Sequence, residues 1–141
     1  MKRKAFNIIE LIFVIIILGI LASVVIIKMN TMTQRAKEAQ LKSLVGTLNR
    51  SVGPAVWFKS IEEGREGSIA FAEYDAVLDR YIQIIPDYDT APTFLNCNNV
   101  GDGIFTNYIF GKNYEVHCTD GNKTSSPKFR LYNETESAYM D

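Results

Sequence analysis

The stretch FNIIELIFVIIILGILASVVII, Phe6 to Ile27, decides how the rest of this chain is read. From Leu11 to Ile27 there are roughly 17 consecutive residues without a charge, and the whole stretch of roughly 22 is enough helix to cross about 30 Å of hydrocarbon. A basic head, Met1-Lys2-Arg3-Lys4-Ala5, precedes it. Basic residues flanking an apolar helix hold that end in the cytoplasm, so the body of the chain is expected on the exported side, with the helix crossing once. A cleaved secretory signal also combines a basic start with an apolar run, but its core is about 7–15 residues and ends at an A-x-A-like site. Here the run is longer and continues as Leu21-Ala22-Ser23-Val24 without one.

One residue is out of place. Glu10 stands among Ile8, Ile9, Leu11 and Ile12, and an ionised carboxylate deep in a bilayer costs about 2.5–3.5 kcal/mol on insertion scales. The plain reading puts Glu10 near the interface, in reach of headgroups or Lys4. The sharper reading cuts the chain between Ala5 and Phe6. The new α-amino group of one copy would then lie within reach of Glu10 of a neighbour shifted along the helix axis. Opposite charges about 4 Å apart attract by about 4 kcal/mol at an effective dielectric near 20, an upper bound that makes Glu10 an assembly residue.

This segment resembles the N-terminus of type IV prepilins and type II secretion pseudopilins. The residues that carry the resemblance are the leader Lys2-Arg3-Lys4-Ala5, Phe6 after the cut, Glu10 at the fifth mature position, and Leu18-Gly19-Ile20-Leu21-Ala22 in the apolar run. It covers about the first 27 residues. Ala5 stands where the family usually has Gly, and Ile27 where a Pro is common. The resemblance implies cleavage by a prepilin peptidase after Ala5, N-methylation of Phe6, insertion in the inner membrane with the C-terminal part periplasmic, recruitment to an inner-membrane assembly platform, and polymerisation into a pilus or pseudopilus. Such filaments serve type II secretion, DNA uptake in natural transformation, or surface fibres. The modest size and the lack of a long variable region lean toward a pseudopilin.

The division expected from the sequence is a leader over 1–5, a membrane or filament-core helix over 6–27, its amphipathic continuation over 28–63 and a periplasmic α+β region over 64–141. In the continuation Leu41, Leu44, Val45, Leu48, Val52, Ala55 and Val56 share a stripe, with Arg35, Lys37, Glu38, Lys42 and Arg50 mostly elsewhere. A helix from Phe6 to Val52 would be about 70 Å long. Gly53-Pro54 should bend it, with Trp57, Phe58 and Ile61 resuming the stripe to about Glu63 before Gly64 and Gly67 end it. A second helix is expected over Ile69 to Ile82, with Glu73, Asp75 and Asp79 largely on its outer face. The helix must be over at Pro86, and DYDTAP after it is expected to be a loop.

Beyond Cys97, turn residues Asn98 to Gly103 lead into two β-branched and aromatic runs, Ile104 to Phe110 and Tyr114 to Cys118, separated by Gly111-Lys112-Asn113. A third strand is expected over Lys128 to Tyr132, with a loose tail from Glu134. The fold class is therefore α+β, a long N-terminal helix packed on a small antiparallel sheet. That plan is similar to the general plan of pilins.

Cys97 and Cys118 are the only cysteines. In an exported chain an even count favours a bridge; two free buried thiols are the alternative, and a metal site of His117 with Cys118 lacks a paired motif. Asp87, Asp89, Asp102 and Asp120 are calcium candidates, a ligand some pseudopilins carry in C-terminal loops. They lack EF-hand spacing, which favours solvated loop acids. Asn122-Lys123-Thr124 and Asn133-Glu134-Thr135 fit the glycan-acceptor pattern, and Asn122 also has Asp120 two residues before it, as in the extended bacterial acceptor. With one His, no nucleophile elbow, no phosphate loop and no HExxH, the sequence offers no constellation for an enzyme and implies no cofactor. The formal net charge of −1 gives no global basic surface for nucleic acid. The rival to a filament subunit is an uncleaved, single-pass anchored binding module, which leaves Glu10 without a role.

Overall fold

A computed structural model describes residues 7–83, 88, 90–97 and 102–140, apart from the side chains of Ile27 and Asp102. Two compact units divide between Ala36 and Lys37. In the first, helix α1 begins at Ile8; it runs without a break to Thr47, already within the second unit.

The second unit explains how a helix passes Gly53-Pro54. Residues Leu48–Val52 form a π-helical turn, in which Gly53 N–H reaches back to the carbonyl of Leu48, and α2 follows directly over Gly53–Glu62. Pro54 has no amide to donate, and its ring crowds the preceding turn. Widening that turn accommodates it where a straight helix would kink. Gly53 also has to be small: a Cβ there would lie 2.9 Å from both the Leu48 carbonyl oxygen and the Phe129 ring.

The widened turn rotates everything after it. Buried positions proceed as Leu41, Leu44, Leu48, Val52, Val56 and Ser60, stepping by four through the π turn instead of drifting at 3.6. Phe58 is consequently 62% exposed and Ile61 38% exposed, so the stripe expected to resume through them does not. Ser60 takes the inner place and donates its hydroxyl to the carbonyl of Ser68 at 2.5 Å.

Helix α3 spans Ala72–Ile82 and starts later than the pattern suggests. Ile69 is fully buried, but its N–H is taken by Asp120 Oδ1 at 2.7 Å, and Phe71 is extended, so the apolar residues before Ala72 belong to a packed loop. Tyr74, Leu78 and Ile82 form the inner face of α3. Asp75 is not an outward acid. Its carboxylate accepts from Thr93 Oγ1 at 2.8 Å and from Phe94 N–H at 2.6 Å, holding the first turn of the short 3₁₀ helix Phe94–Asn96.

Four strands, β1 (Asp102–Ile109), β2 (Lys112–Thr119), β3 (Lys128–Asn133) and β4 (Ala138–Tyr139), form one antiparallel sheet in that order. The first hairpin turns on two residues, Phe110 and Gly111, with φ of 46° and 85°, so β2 opens at Lys112 and not at Tyr114. Positive φ at both central positions matches the twist of paired strands better than a longer loop does. The tail is also more ordered than a sequence of Glu, Thr and Ser indicates. Met140 N–H bonds the Leu131 carbonyl at 2.8 Å, and β4 pairs Tyr139 with Tyr132.

The core lies between the sheet, the helical stretch from Leu41 to Val56, and α3. Phe105, Ile109, Tyr114, Val116, Phe129 and Leu131 meet Leu41, Leu44, Leu48, Val52, Tyr74 and Leu78 in one apolar cluster. Asn49 ties helix to sheet: its Nδ2 donates to the Phe129 carbonyl at 2.8 Å and its Oδ1 accepts from Phe129 N–H at 2.9 Å. Cys97 and Cys118 are joined by a disulfide, both fully buried, with Cα atoms 4.9 Å apart.

Candidate functional site

In the first unit every described side chain from Ile8 to Ile26 is exposed, including Ile8 at 76%, Phe13 at 66% and Ile20 at 62%. A contiguous apolar surface of this extent is unfavourable in water. The stretch is long and apolar enough to cross a membrane. Backbone groups are bonded within the helix, and the hydroxyl of Ser23 donates to the Ile20 carbonyl at 2.7 Å, which leaves no hydroxyl proton to resist hydrocarbon.

Glu10 sits in the first turn of α1. Its Oε2 accepts from Asn7 N–H at 3.3 Å, a long bond, and the side chain is exposed. The amide ends of a helix N-terminus favour an acid there. Oε1 bonds no other described residue, so Glu10 retains capacity to accept a second, cationic donor. Ala5 and Phe6, the expected cleavage and methylation residues, lie outside the described residues.

Asp120 and Asn122 fall in the connection between β2 and β3. Asp120 Oδ1 accepts from Ile69 N–H and from Gly121 N–H at 2.8 Å, and Oδ2 accepts from the Ser68 hydroxyl. The carboxylate therefore fastens the β2–β3 connection to the loop before α3. Asp87 and Asp89 lie outside the described residues, and Asp102 is placed by its backbone alone. Among the described residues no group of three or more His, Cys, Asp and Glu side chains converges as a metal site. Cys118 is committed to the disulfide. Both ring nitrogens of His117 are engaged: Nε2 donates to Glu115 Oε2 at 2.9 Å, and Nδ1 lies 3.1 Å from the Tyr139 hydroxyl. A carboxylate only accepts, which puts a hydrogen on Nε2 and lets Nδ1 accept from Tyr139.

That histidine belongs to a cluster on the sheet face away from the core. It stacks on Tyr132 with centroids 4.6 Å apart, and Arg130 lies 3.9 Å over the Tyr139 ring, so the cluster pins the short strand β4. The signal was present in the alternation of β2, which sends Glu115 and His117 to one face and Tyr114, Val116 and Cys118 to the other. Its partner Tyr139 lies in the tail, where no periodicity marks it.

A second polar network joins the end of α2 to α3. Tyr74, fully buried, donates its hydroxyl to Glu63 Oε2 at 2.9 Å. Burial, then the bond to Glu63, push the phenol up to about 12. That same bond, followed by the charges of Lys59 and Arg65, holds the Glu63 carboxyl below its usual range. Arg65 pairs with both Glu63 and Glu73. The bonds of this network tie the end of α2 to α3.

Comparison with protein-family models, with curated proteins and with solved structures finds no match to the chain.

Proposed function

We infer that this chain is a pilin-like structural subunit, processed after Ala5 and polymerised through its apolar helix into a pilus or pseudopilus. The observation that carries the reading is Glu10, the one charge between Phe6 and Ile27, on a helix whose apolar surface is exposed among the described residues. A tether needs length and apolarity alone and would lose insertion energy by keeping an acid. A helix that packs with copies of itself can pair that acid with the α-amino group of a neighbour's Phe6, replacing lost hydration with a charge-assisted bond. The α+β body, with a helix across a four-stranded antiparallel sheet and one disulfide, fits a subunit displayed outside the cytoplasm.

The partners in this reading are other copies of the chain or related subunits, the prepilin peptidase and an inner-membrane assembly platform. Glu10→Gln keeps shape and removes charge, so it should leave membrane insertion and the Cys97–Cys118 bridge intact while abolishing filament incorporation. Filaments that include the Gln variant at the wild-type level would defeat the pairing mechanism.

A further inference from the structure

We propose that Asn122 is an N-glycosylation site and that Asn133, which carries the same acceptor pattern, is not. The two Asn-x-Thr triplets, of which only the first has an acid two residues before it, differ sharply in the fold. Asn133 is 1% exposed at the end of β3, with its Oδ1 accepting from Glu136 N–H at 3.2 Å. Asn122 is exposed in the β2–β3 connection. Only an amide that leaves the protein surface can enter a transferase site, so folding closes one acceptor and presents the other.

The presentation is specific. Asn122 Oδ1 accepts from Thr124 N–H at 2.9 Å, Thr124 Oγ1 at 2.9 Å and Ser125 N–H at 3.0 Å. Nδ2 makes no hydrogen bond among the described residues. Three donors on the carbonyl oxygen draw negative charge toward it and acidify the Nδ2 hydrogens, which eases their loss as nitrogen becomes a nucleophile. The required hydroxyl two residues on is the one that makes the side-chain contact. The backbone of Asn122 is fixed as well, since its carbonyl accepts from Trp57 Nε1 at 2.8 Å. Next to it, Arg65, Glu66, Ser68, Gly121 and Lys123 border an open depression of about 530 Å³ that leaves room for the first sugar. Asp120, two residues before the acceptor, is taken up by Ser68 and Ile69, so the site rests on Asn122 and Thr124.

The donor class is a glycan linked to a lipid diphosphate on the exported side. Nδ2 forms the bond to the anomeric carbon, the anomeric C–O bond to the diphosphate breaks, the lipid diphosphate leaves with the electron pair, and one amide hydrogen passes as a proton to a base on the transferase. The proposal requires export of the second unit but not filament assembly.

The test is peptide mass mapping, without reduction, of full-length protein from its native membrane. Cleavage after Lys112, Lys123, Lys128 and Arg130 separates Asn122 from Asn133, and the peptide over 113–123 that carries Asn122 also contains Cys118. The expected result is a glycan mass on 113–123, lost in Asn122→Gln and Thr124→Ala, retained in Thr124→Ser and Asn133→Gln, with Cys118 linked to Cys97 in every variant. A bare 113–123 peptide overturns the proposal, as does a mass that persists in Asn122→Gln or follows Asn133. If the bare peptide is disulfide-linked, export stands and the acceptor assignment fails; if its Cys118 is a free thiol, export itself has failed.

Discussion

Asn49→Ala should be among the most destabilising single changes outside the apolar core. The Asn49 amide behaves as one residue of an extra strand, donating to and accepting from the backbone of Phe129 at 2.8 and 2.9 Å, with a third bond to the Val45 carbonyl at 3.1 Å. Phe129 is 2% exposed, so truncation leaves a buried N–H and C=O on β3 without partners. An orphaned buried group costs about 1–3 kcal/mol, and partial access of water to one of them reduces the total, which gives a loss of about 2–4 kcal/mol. Urea unfolding of the full chain in micelles, followed by fluorescence of Trp57, the only tryptophan, measures this. With m of about 2 kcal/mol/M, the midpoint should fall by about 1–2 M at unchanged m. Asn49→Asp keeps the acceptor, loses the donor and sets a carboxylate against the Phe129 carbonyl. It should match Ala at pH 7 and regain stability below about pH 4, where the protonated acid donates again. A midpoint shift under about 0.3 M for the Ala variant would refute the strand-like role of Asn49.

Phe110→Asn should stabilise the chain by about 1 kcal/mol, because Phe110 holds a φ of 46° while 52% exposed, and Asn before Gly111 suits that turn; an unchanged or lower melting temperature would count against strain at the turn. Replacing both Cys97 and Cys118 by Ala should cost about 3 kcal/mol, as expected for a bridge between cysteines 21 residues apart, and equal urea midpoints for bridged and Ala proteins would contradict it. The buried Tyr74 phenol ionises near pH 10 in the unfolded chain and only near 12 in the fold, so its contribution is complete below about pH 10 and is lost as pH rises through about 12. Tyr74→Phe should therefore flatten the alkaline decline in stability between those limits, and parallel declines for the two proteins would exclude Tyr74 as its source.

How far the sequence could be read follows from the range of each interaction. The run Phe6 to Ile27 announces a helix by itself, since it contains neither proline nor a turn cluster and its apolar length has few other uses. The stripe from Leu41 to Val52 and the strands around Gly111 are likewise local patterns, and the fold contains them. Local pattern failed where a distant partner decides. Asp75 looks like a solvated helix acid until Thr93 and Phe94 arrive to be capped. Ile69 looks helical until Asp120, far along the chain, takes its amide. Ala138 and Tyr139 have no strand signature, and they pair because β3 offers an edge and because Arg130, His117 and Tyr132 hold the Tyr139 ring. The π turn needed the combination of a proline in sequence and an apolar sheet in space to justify its one-residue rotation.

For the candidate site, Glu10 was legible because a single charge in an apolar helix is anomalous whatever the fold. Between the two acceptor asparagines the sequence favours Asn122 only through Asp120 two residues before it, and burial of Asn133 was not legible because it depends on the sheet and on the turn Glu134 to Ser137. Asp120 illustrates the opposite case: a loop acid with several chemical readings acquires a structural one once Ser68 and Ile69 are placed beside it.

The pilin-like account is tested most directly by N-terminal peptide mass spectrometry on protein taken from its native membrane. The account predicts a mature chain that begins at Phe6 with a methylated α-amino group, the group required to face Glu10 of a neighbour. A chain that retains Met1 or Lys2 at its N-terminus would contradict it and leave the helix as a membrane tether.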